Sequence, residues 1–339
     1  MTWALIARAD DGGLGNQTAE LARHVRPDRV LVVNPGGRRS RGTMRLERFD
    51  VEDRAVFDGD VLDNDTVGWL LDGVDTVFTV ECWYSPHLVR AARRAGVRTI
   101  VQANPELLVD AVDSDLIVLP TPWEAHRTPQ AKLLPVPVAL DRFVAPERSG
   151  RPMRTLYHPA APAMLDRNGT DLLLTALRYV RTPLRVLIRG AERPVPNVGA
   201  ATVEWLRPVD HYWDAYPPEA DLMVLPRRYG GLSLSMQEAA AVGLPTVALD
   251  LEPQRRWLDP AGLVEATVER AAVPMRGGRF DVWACDPRAL ARRLDQLADH
   301  SEVVDRMRDG ARAWAAGLDW RTWTDAYRRV LTRSATGRP

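Results

Sequence analysis

The sequence predicts an α/β protein built as two Rossmann-like, doubly wound domains, and three observations carry that prediction. Short β-branched runs without polar alternation recur between amphipathic stretches, the pattern of parallel strands covered on both faces. The chain has 339 residues, a comfortable length for two domains. Residues 134–153 (LPVPVALDRFVAPERSGRPM) are proline-rich and break the periodicity, as a linker between domains does.

Each half opens with a strand. Residues 2–7 (TWALIA) form an apolar run that ends in a glycine-bearing turn, residues 10–16, followed by a helical pattern with Ala19, Leu21, Ala22 and Val25 on one face. A second strand over 29–33 completes a βαβ unit. The turn matches a dinucleotide fingerprint only loosely, because it reads Gly-Gly-x-Gly and no acidic residue ends the second strand. Strands over 75–80, 97–101 and 116–119, with a helix over 86–96, continue the series. Their carboxyl ends carry Glu81, Trp83 and Tyr84, then Gln102, Asn104 and Glu106, then Thr121 and Trp123, all candidate substrate contacts by position. The second half repeats the pattern with strands over 155–158, 184–188 (ending at Arg189-Gly190), 202–206, 222–225 and 246–249. It closes with helices over roughly 287–299, 301–316 and 319–333; Trp320, Trp323 and Tyr327 make a packing stripe on the last.

Composition bounds the function. The formal net charge is zero, so no global field draws the chain to nucleic acid or anionic membrane. Cys82 and Cys285 stand far apart and in no metal-binding spacing, which argues against a disulfide framework. The opening apolar run is too short for a signal peptide and no segment approaches bilayer-spanning length, so a cytoplasmic protein is expected. One local exception is the loop after the second strand, which crowds Arg38, Arg39, Arg41, Arg45 and Arg48. It is either a solvated loop or a grip on an anionic acceptor: a phosphate, a lipid head group or nucleic acid.

The most informative stretch is LPRRYGGLSLSMQEAAAVGLPTVALD, residues 225–250. A strand runs into a glycine turn, then into a small-residue helix that contains Glu238 and is stopped by Gly243 and Pro245. Such a turn offers backbone N–H groups and the positive end of a helix dipole to a phosphate. Arg227 and Arg228 sit just before it.

Residues 238–250 (EAAAVGLPTVALD) resemble the Glu-Ala-x-Ala-x-Gly-x-Pro helix and strand of retaining glycosyltransferase family 4, whose members have the GT-B fold. PVPVALDRF (135–143) resembles that family's interdomain segment, and LDWRTWTDAYRRVL (318–331) its terminal helix. The resemblance implies two Rossmann-like domains facing a cleft: an acceptor-side domain over 1–143, a donor nucleotide-sugar domain over 144–316, and a helix over 317–339 packing back on the first. It also implies a glycosyltransferase that moves a sugar from a nucleotide-diphosphate sugar to an acceptor hydroxyl with retention, without metal and without a protein nucleophile.

On the donor side the resemblance puts Glu238 on the ribose hydroxyls and Gly230, Gly231 and Leu232 against the diphosphate, with Ser233 or Ser235 adding a hydroxyl. His158 and Gly190, at strand ends, complete the donor set; His158 reads equally well as structural. Two departures stand out. The family's first motif glutamate falls on Gly230, and its Arg-Lys pair is reduced to Arg167 beside Gly169, with Arg227 and Arg228 in reserve for the missing charge. On the acceptor side the family's glycine loop resembles residues 12–16, which brings in Gly13, Gly15 and Asn16 beside Arg38, Arg39, Glu81 and Tyr84. Asn104 stands where a family histidine often lies, so Arg167, Asn104 and Glu81 form the catalytic set. A catalytically silent nucleotide-binding protein and a sugar-nucleotide epimerase remain competing readings. The acceptor stays open among nucleic acid base, protein, lipid and small molecule.

Overall fold

A computed structural model of the chain describes residues 1–38, 43–110, 113–148, 150–160 and 164–332. It divides into two compact units, one of residues 1–137, 275–278 and 320 onward, the other of residues 138–274 and 279–319.

The first unit opens with β1 (Trp3–Ala7), α1 (Gly13–Val25), β2 (Arg29–Asn34), β3 (Asp53–Asp58) and α2 (Asn64–Leu71). It continues with β4 (Thr76–Val80), α3 (Leu88–Ala95), β5 (Arg98–Gln102), β6 (Leu116–Leu119) and β7 (Lys132–Leu133). The seven strands lie in the order β3-β2-β1-β4-β5-β6-β7 and every pairing is parallel. Leu5, Val30, Leu31, Val77, Phe78, Ile100 and Val101 are fully buried, as the unbroken apolar runs require. The order reverses between β1 and β4, the switch point where such sheets take ligands. Gly15 is forced by sterics in the turn below it, since a Cβ there would lie 1.8 Å from the Asp10 carbonyl oxygen. β3 and α2 are absent from the sequence prediction. β3 is an edge strand with half-exposed charged residues, so it lacks the apolar signature of its neighbours.

The second unit contains β8 (Thr155–Pro159), α4 (Thr170–Leu177), β9 (Arg185–Arg189), β10 (Thr202–Leu206), β11 (Leu222–Val224), α5 (Leu234–Ala241), β12 (Thr246–Leu249) and β13 (Leu263–Val264). Its parallel sheet runs β10-β9-β8-β11-β12-β13, with the switch point between β8 and β11. A separate two-stranded sheet, β14 (Thr267–Met275) and β15 (Gly278–Ala284), follows and was also not expected from sequence. Two long helices, α6 (Pro287–Asp299) and α7 (Ser301–Gly317), come next. Leu173, Leu177, Leu290 and Leu294 bury one face of the sheet, while Met236, Ala239 and Leu244 fill the other. The proline-rich segment has a structural task as well. Arg148, 1% exposed, donates to the Val242 carbonyl at 2.6 Å and so caps the carboxyl end of α5 with a cation.

The last helix, α8 (Trp320–Thr332), belongs to the first unit. Trp320 stacks on His24 of α1 with ring centres 4.9 Å apart. The Tyr327 hydroxyl donates to the Pro135 carbonyl at 2.9 Å and accepts from Gln102 Nε2 at 3.1 Å. Gln102 also donates to the Leu134 carbonyl and accepts from Gln17, so this candidate substrate contact is instead a buried structural hub. Trp83 is also held in place: its ring is buried and its Nε1 donates to Ser114 Oγ at 2.9 Å.

Trp320 is only 2% exposed, so Trp320→Ala should cost the first unit about 3–5 kcal/mol, read as an earlier unfolding transition in urea with α8 released. Retention of the wild-type midpoint would show that α8 contributes nothing to that unit.

Candidate active site

At the carboxyl edge of the second sheet, β11 leads into the arginine and glycine loop. Arg228 donates through Nε to the Trp283 carbonyl at 3.0 Å and through Nη1 to the Leu165 carbonyl at 2.9 Å, and it pairs with Glu269. Its charge and donors are thus spent inside the protein, where they fix the loop. Its backbone N–H reaches the Arg167 carbonyl at 2.9 Å, and the Arg167 guanidinium lies over the Tyr229 ring at 5.2 Å. Tyr229 in turn donates to the Met164 carbonyl at 2.6 Å. Arg167 and the 227–229 loop are therefore one assembly.

The two helix starts at this edge differ. α4 is capped by Asp166, whose two oxygens accept from the N–H groups of Thr170 and Asp171, each at 2.9 Å. α5 has no side-chain cap; Ser233 occupies the capping position, and its Oγ is buried without a hydrogen bond. Gly230, with φ +91°, Gly231 and Leu232 form the turn immediately before it. An anion meets unclaimed donors at α5, not at α4.

Glu238 is half-buried on α5, and the Tyr216 hydroxyl donates to its Oε2 at 2.6 Å. Tyr216 is held edge-on by Tyr157 and Phe143. Burial pushes the Glu238 carboxyl up to about 7, and the hydrogen bond from Tyr216 opposes it. The sequence reading did not identify Tyr216, whose only signal was a place before the β11 run. His158 is fully buried. Its Nδ1 faces the Val224 carbonyl at 2.7 Å and must carry the proton, while Nε2 lies 2.8 Å from Thr170 Oγ1. Both nitrogens are consumed in joining β8, β11 and α4, and burial lowers the ring to about 4, so His158 is a structural histidine. Gly190 leaves no room for a side chain, since a Cβ would sit 2.6 Å from the Ala160 carbonyl oxygen.

In the first unit, Asn104 Nδ2 donates to Glu81 Oε1 at 3.2 Å, which brings two of the catalytic candidates together. The third, Arg167, lies in the other unit. Glu81 and Tyr84 adopt left-handed backbone conformations, φ +70° and +55°, on either side of Cys82 and Trp83. They border a cavity of about 740 Å³ that Arg8, Asp60, Cys82 and Asp113 also line. Arg8 pairs with Asp10 at 2.6 Å and hydrogen-bonds the Tyr84 phenol, which burial holds well above its ordinary range. Leu14, not Gly13, Gly15 or Asn16, is the turn residue that faces this space. Arg8, Asp60 and Cys82 went unnoticed in the sequence, although each follows the end of a strand by one to two residues. Glu106 and Thr121 are buried at 3% each, which removes them from an open surface.

The arginine loop is partly neutralised. Arg48 donates to Asn16 Oδ1 at 2.9 Å and pairs with Asp11 at 2.7 Å, and Arg45 also reaches Asp11. Asn16 and two of the five arginines are thereby engaged with the protein. Arg38 is exposed; Arg39 and Arg41 lie outside the described residues. Among the described residues, no three His, Cys, Asp or Glu side chains gather as metal ligands, and no helix is long and apolar enough to cross a membrane.

Residues 161–300 match the family model described as Glycosyl transferases group 1. No curated protein matches the chain by sequence. Among solved structures, HepE of Anabaena, determined with UDP, superposes with a TM-score of 0.69 at 12% identity, covering 98% of this chain and all of that one. A glycosyltransferase of Rickettsia africae gives 0.70 at 10% identity, covering 99% of both chains. Sucrose-phosphate synthase of Thermosynechococcus elongatus gives 0.65 at 15%, covering 97% and 99%. At these identities the likeness establishes the fold.

The two buried titrating groups of the second unit oppose each other. His158 has its proton affinity lowered by folding, so its contribution is present above about 6.5 and lost as pH falls through about 4, roughly 3 kcal/mol in all. Glu238 has its proton affinity raised, so its contribution is present below about 4.5 and lost as pH rises through about 7. In a Glu238→Gln background, denaturant stability of the second unit should therefore fall from pH 7 to pH 4. A flat profile there would remove His158 as its cause.

Proposed function

We propose that the chain is a glycosyltransferase and that residues 227–238 of the second unit bind a nucleotide-diphosphate sugar, a reading supported by the group 1 domain matched over residues 161–300 and by the GT-B fold. Glu238 receives the ribose hydroxyls, and the 230–232 turn at the start of α5 receives the diphosphate, with Arg167 and Arg227 countering its charge. The observation that carries this reading is the pairing of an uncapped helix start with a carboxylate that Tyr216 holds further along the same helix. The Anabaena protein solved with UDP-glucose supports the donor class.

The reaction then proceeds as follows. The acceptor hydroxyl oxygen bonds to the anomeric carbon while the bond from that carbon to the diphosphate oxygen breaks. The electron pair stays on the nucleoside diphosphate, and the hydroxyl proton leaves with the departing phosphate. Approach on the leaving-group face retains configuration. The negative charge that grows on the diphosphate is what Arg167 and the α5 backbone stabilise. Within the first unit, the hydrogen-bonded pair Glu81 and Asn104 is the proposed contact for an acceptor hydroxyl. A silent nucleotide-binding protein is the second reading, because Gly230 replaces a sugar-contacting glutamate. Slow release of nucleoside diphosphate from a donor sugar without acceptor excludes it.

Titration with a panel of nucleoside diphosphates tests the site. Glu238→Ala should weaken binding by at least tenfold, consistent with about 1.5–3 kcal/mol for a hydrogen bond to a charged group. Wild-type affinity should rise from pH 6 to pH 8, by at most about tenfold per unit below 7, because binding then requires Glu238 to lose its proton. Glu238→Gln should flatten that rise. Unaltered binding in Glu238→Ala ends the assignment.

The two arginines should separate cleanly. Arg167→Ala should lower kcat by about 10²–10³, the scale of a lost oxyanion contact, with the melting temperature little changed. Arg228→Ala should instead lower the melting temperature, since it strands Glu269 and two carbonyls. Equal melting curves for the two variants would refute this division of labour.

A further inference from the structure

The geometry points to the 740 Å³ cavity at the β1–β4 switch point as the acceptor pocket, and to a small hydroxylated molecule without phosphate, neutral or cationic, as its occupant. This rests on the glycosyltransferase reading of the chain and goes beyond it by naming the acceptor class. The volume lies within the range of about 300–1,000 Å³ found for small-molecule sites, and every residue that lines it belongs to one unit.

Its lining sets the charge preference. Asp60, Glu81 and Asp113 bring carboxylates from three separate segments. Of the two guanidiniums, Arg8 is offset by Asp10 at 2.6 Å and hydrogen-bonded to Tyr84, so the lining carries three carboxylates against Arg8 and Arg276. A phosphate in this space meets net repulsion, whereas hydroxyl and ammonium donors meet acceptors. Of the arginine loop, Arg45 and Arg48 both lie on Asp11.

The pocket is also preformed. Glu81 and Tyr84 hold uncommon left-handed conformations, and the loop that carries them is pinned on both sides. The Glu81 N–H donates to the Gln102 carbonyl at 2.8 Å, Thr79 Oγ1 donates to the Cys82 carbonyl at 2.7 Å, and the Leu62 N–H donates to the Tyr84 carbonyl at 2.7 Å. Those bonds fix the backbone of the loop from which Glu81 and Tyr84 line the space.

The test uses the intact protein with the nucleotide sugar it is found to bind, and reads release of nucleoside diphosphate. Glucose, glucosamine, glucose 6-phosphate and a short oligonucleotide are added separately. The expected result is at least tenfold acceleration over hydrolysis with glucose or glucosamine and less than twofold with the two phosphate-bearing probes. Asp60→Arg, at an exposed position, should shift the ratio of glucosamine to glucose 6-phosphate rates toward the phosphate. A phosphate-bearing probe that accelerates most, silence of both non-phosphate probes while donor is hydrolysed, or an unmoved ratio in Asp60→Arg would each overturn the proposal. Failure to bind any nucleotide sugar would instead strike the donor assignment on which it stands.

Discussion

Parallel strands cannot be joined by hairpins, so each crossover must pass over a face of the sheet, and in both units those faces are covered. The central strands are consequently sealed from water along their length, and every polar group on them needs an internal partner. Chemistry is left with the carboxyl edge, where the chain turns before its next crossover. The cavity beside Glu81, the glycine turn before α5 and the ends of β8 and β9 all lie at such edges. The same constraint explains how many of the conspicuous polar residues turn out to be structural. His158, Gln102 and Arg228 sit near an edge but are drawn inward to satisfy backbone carbonyls.

Tyr216 and Glu238 are the exception that suits a ligand. A carboxylate with one donor from a buried phenol keeps acceptor capacity, and burial leaves it poised near neutrality. A carboxylate tied into an ion pair, as Glu269 is to Arg228, has no such reserve.

The architecture was legible in the sequence because buried parallel strands announce themselves as unbroken apolar runs. β3, β14 and β15 were not, because their residues are half-exposed and charged, which erases that signature. The donor loop was legible through its glycines and Glu238. The commitment of Arg228 was not: only the position of Leu165, Trp283 and Glu269 shows that its guanidinium is tied into the fold. The acceptor cavity was half visible. Glu81 and Tyr84 stood out as polar groups after a strand, whereas Arg8, Asp60 and Cys82 became relevant only once the topology placed β1, β3 and β4 on one edge.

Gly230 closes a route as well as leaving a gap. Its φ of +91° is a conformation that costs a residue with a side chain on the order of 1–2 kcal/mol or more, so the loop has been shaped around the absence of a Cβ. A glutamate introduced there would strain the turn before its carboxylate could reach a ligand. A side chain at 230 therefore changes the path of the loop before it changes what the loop contacts.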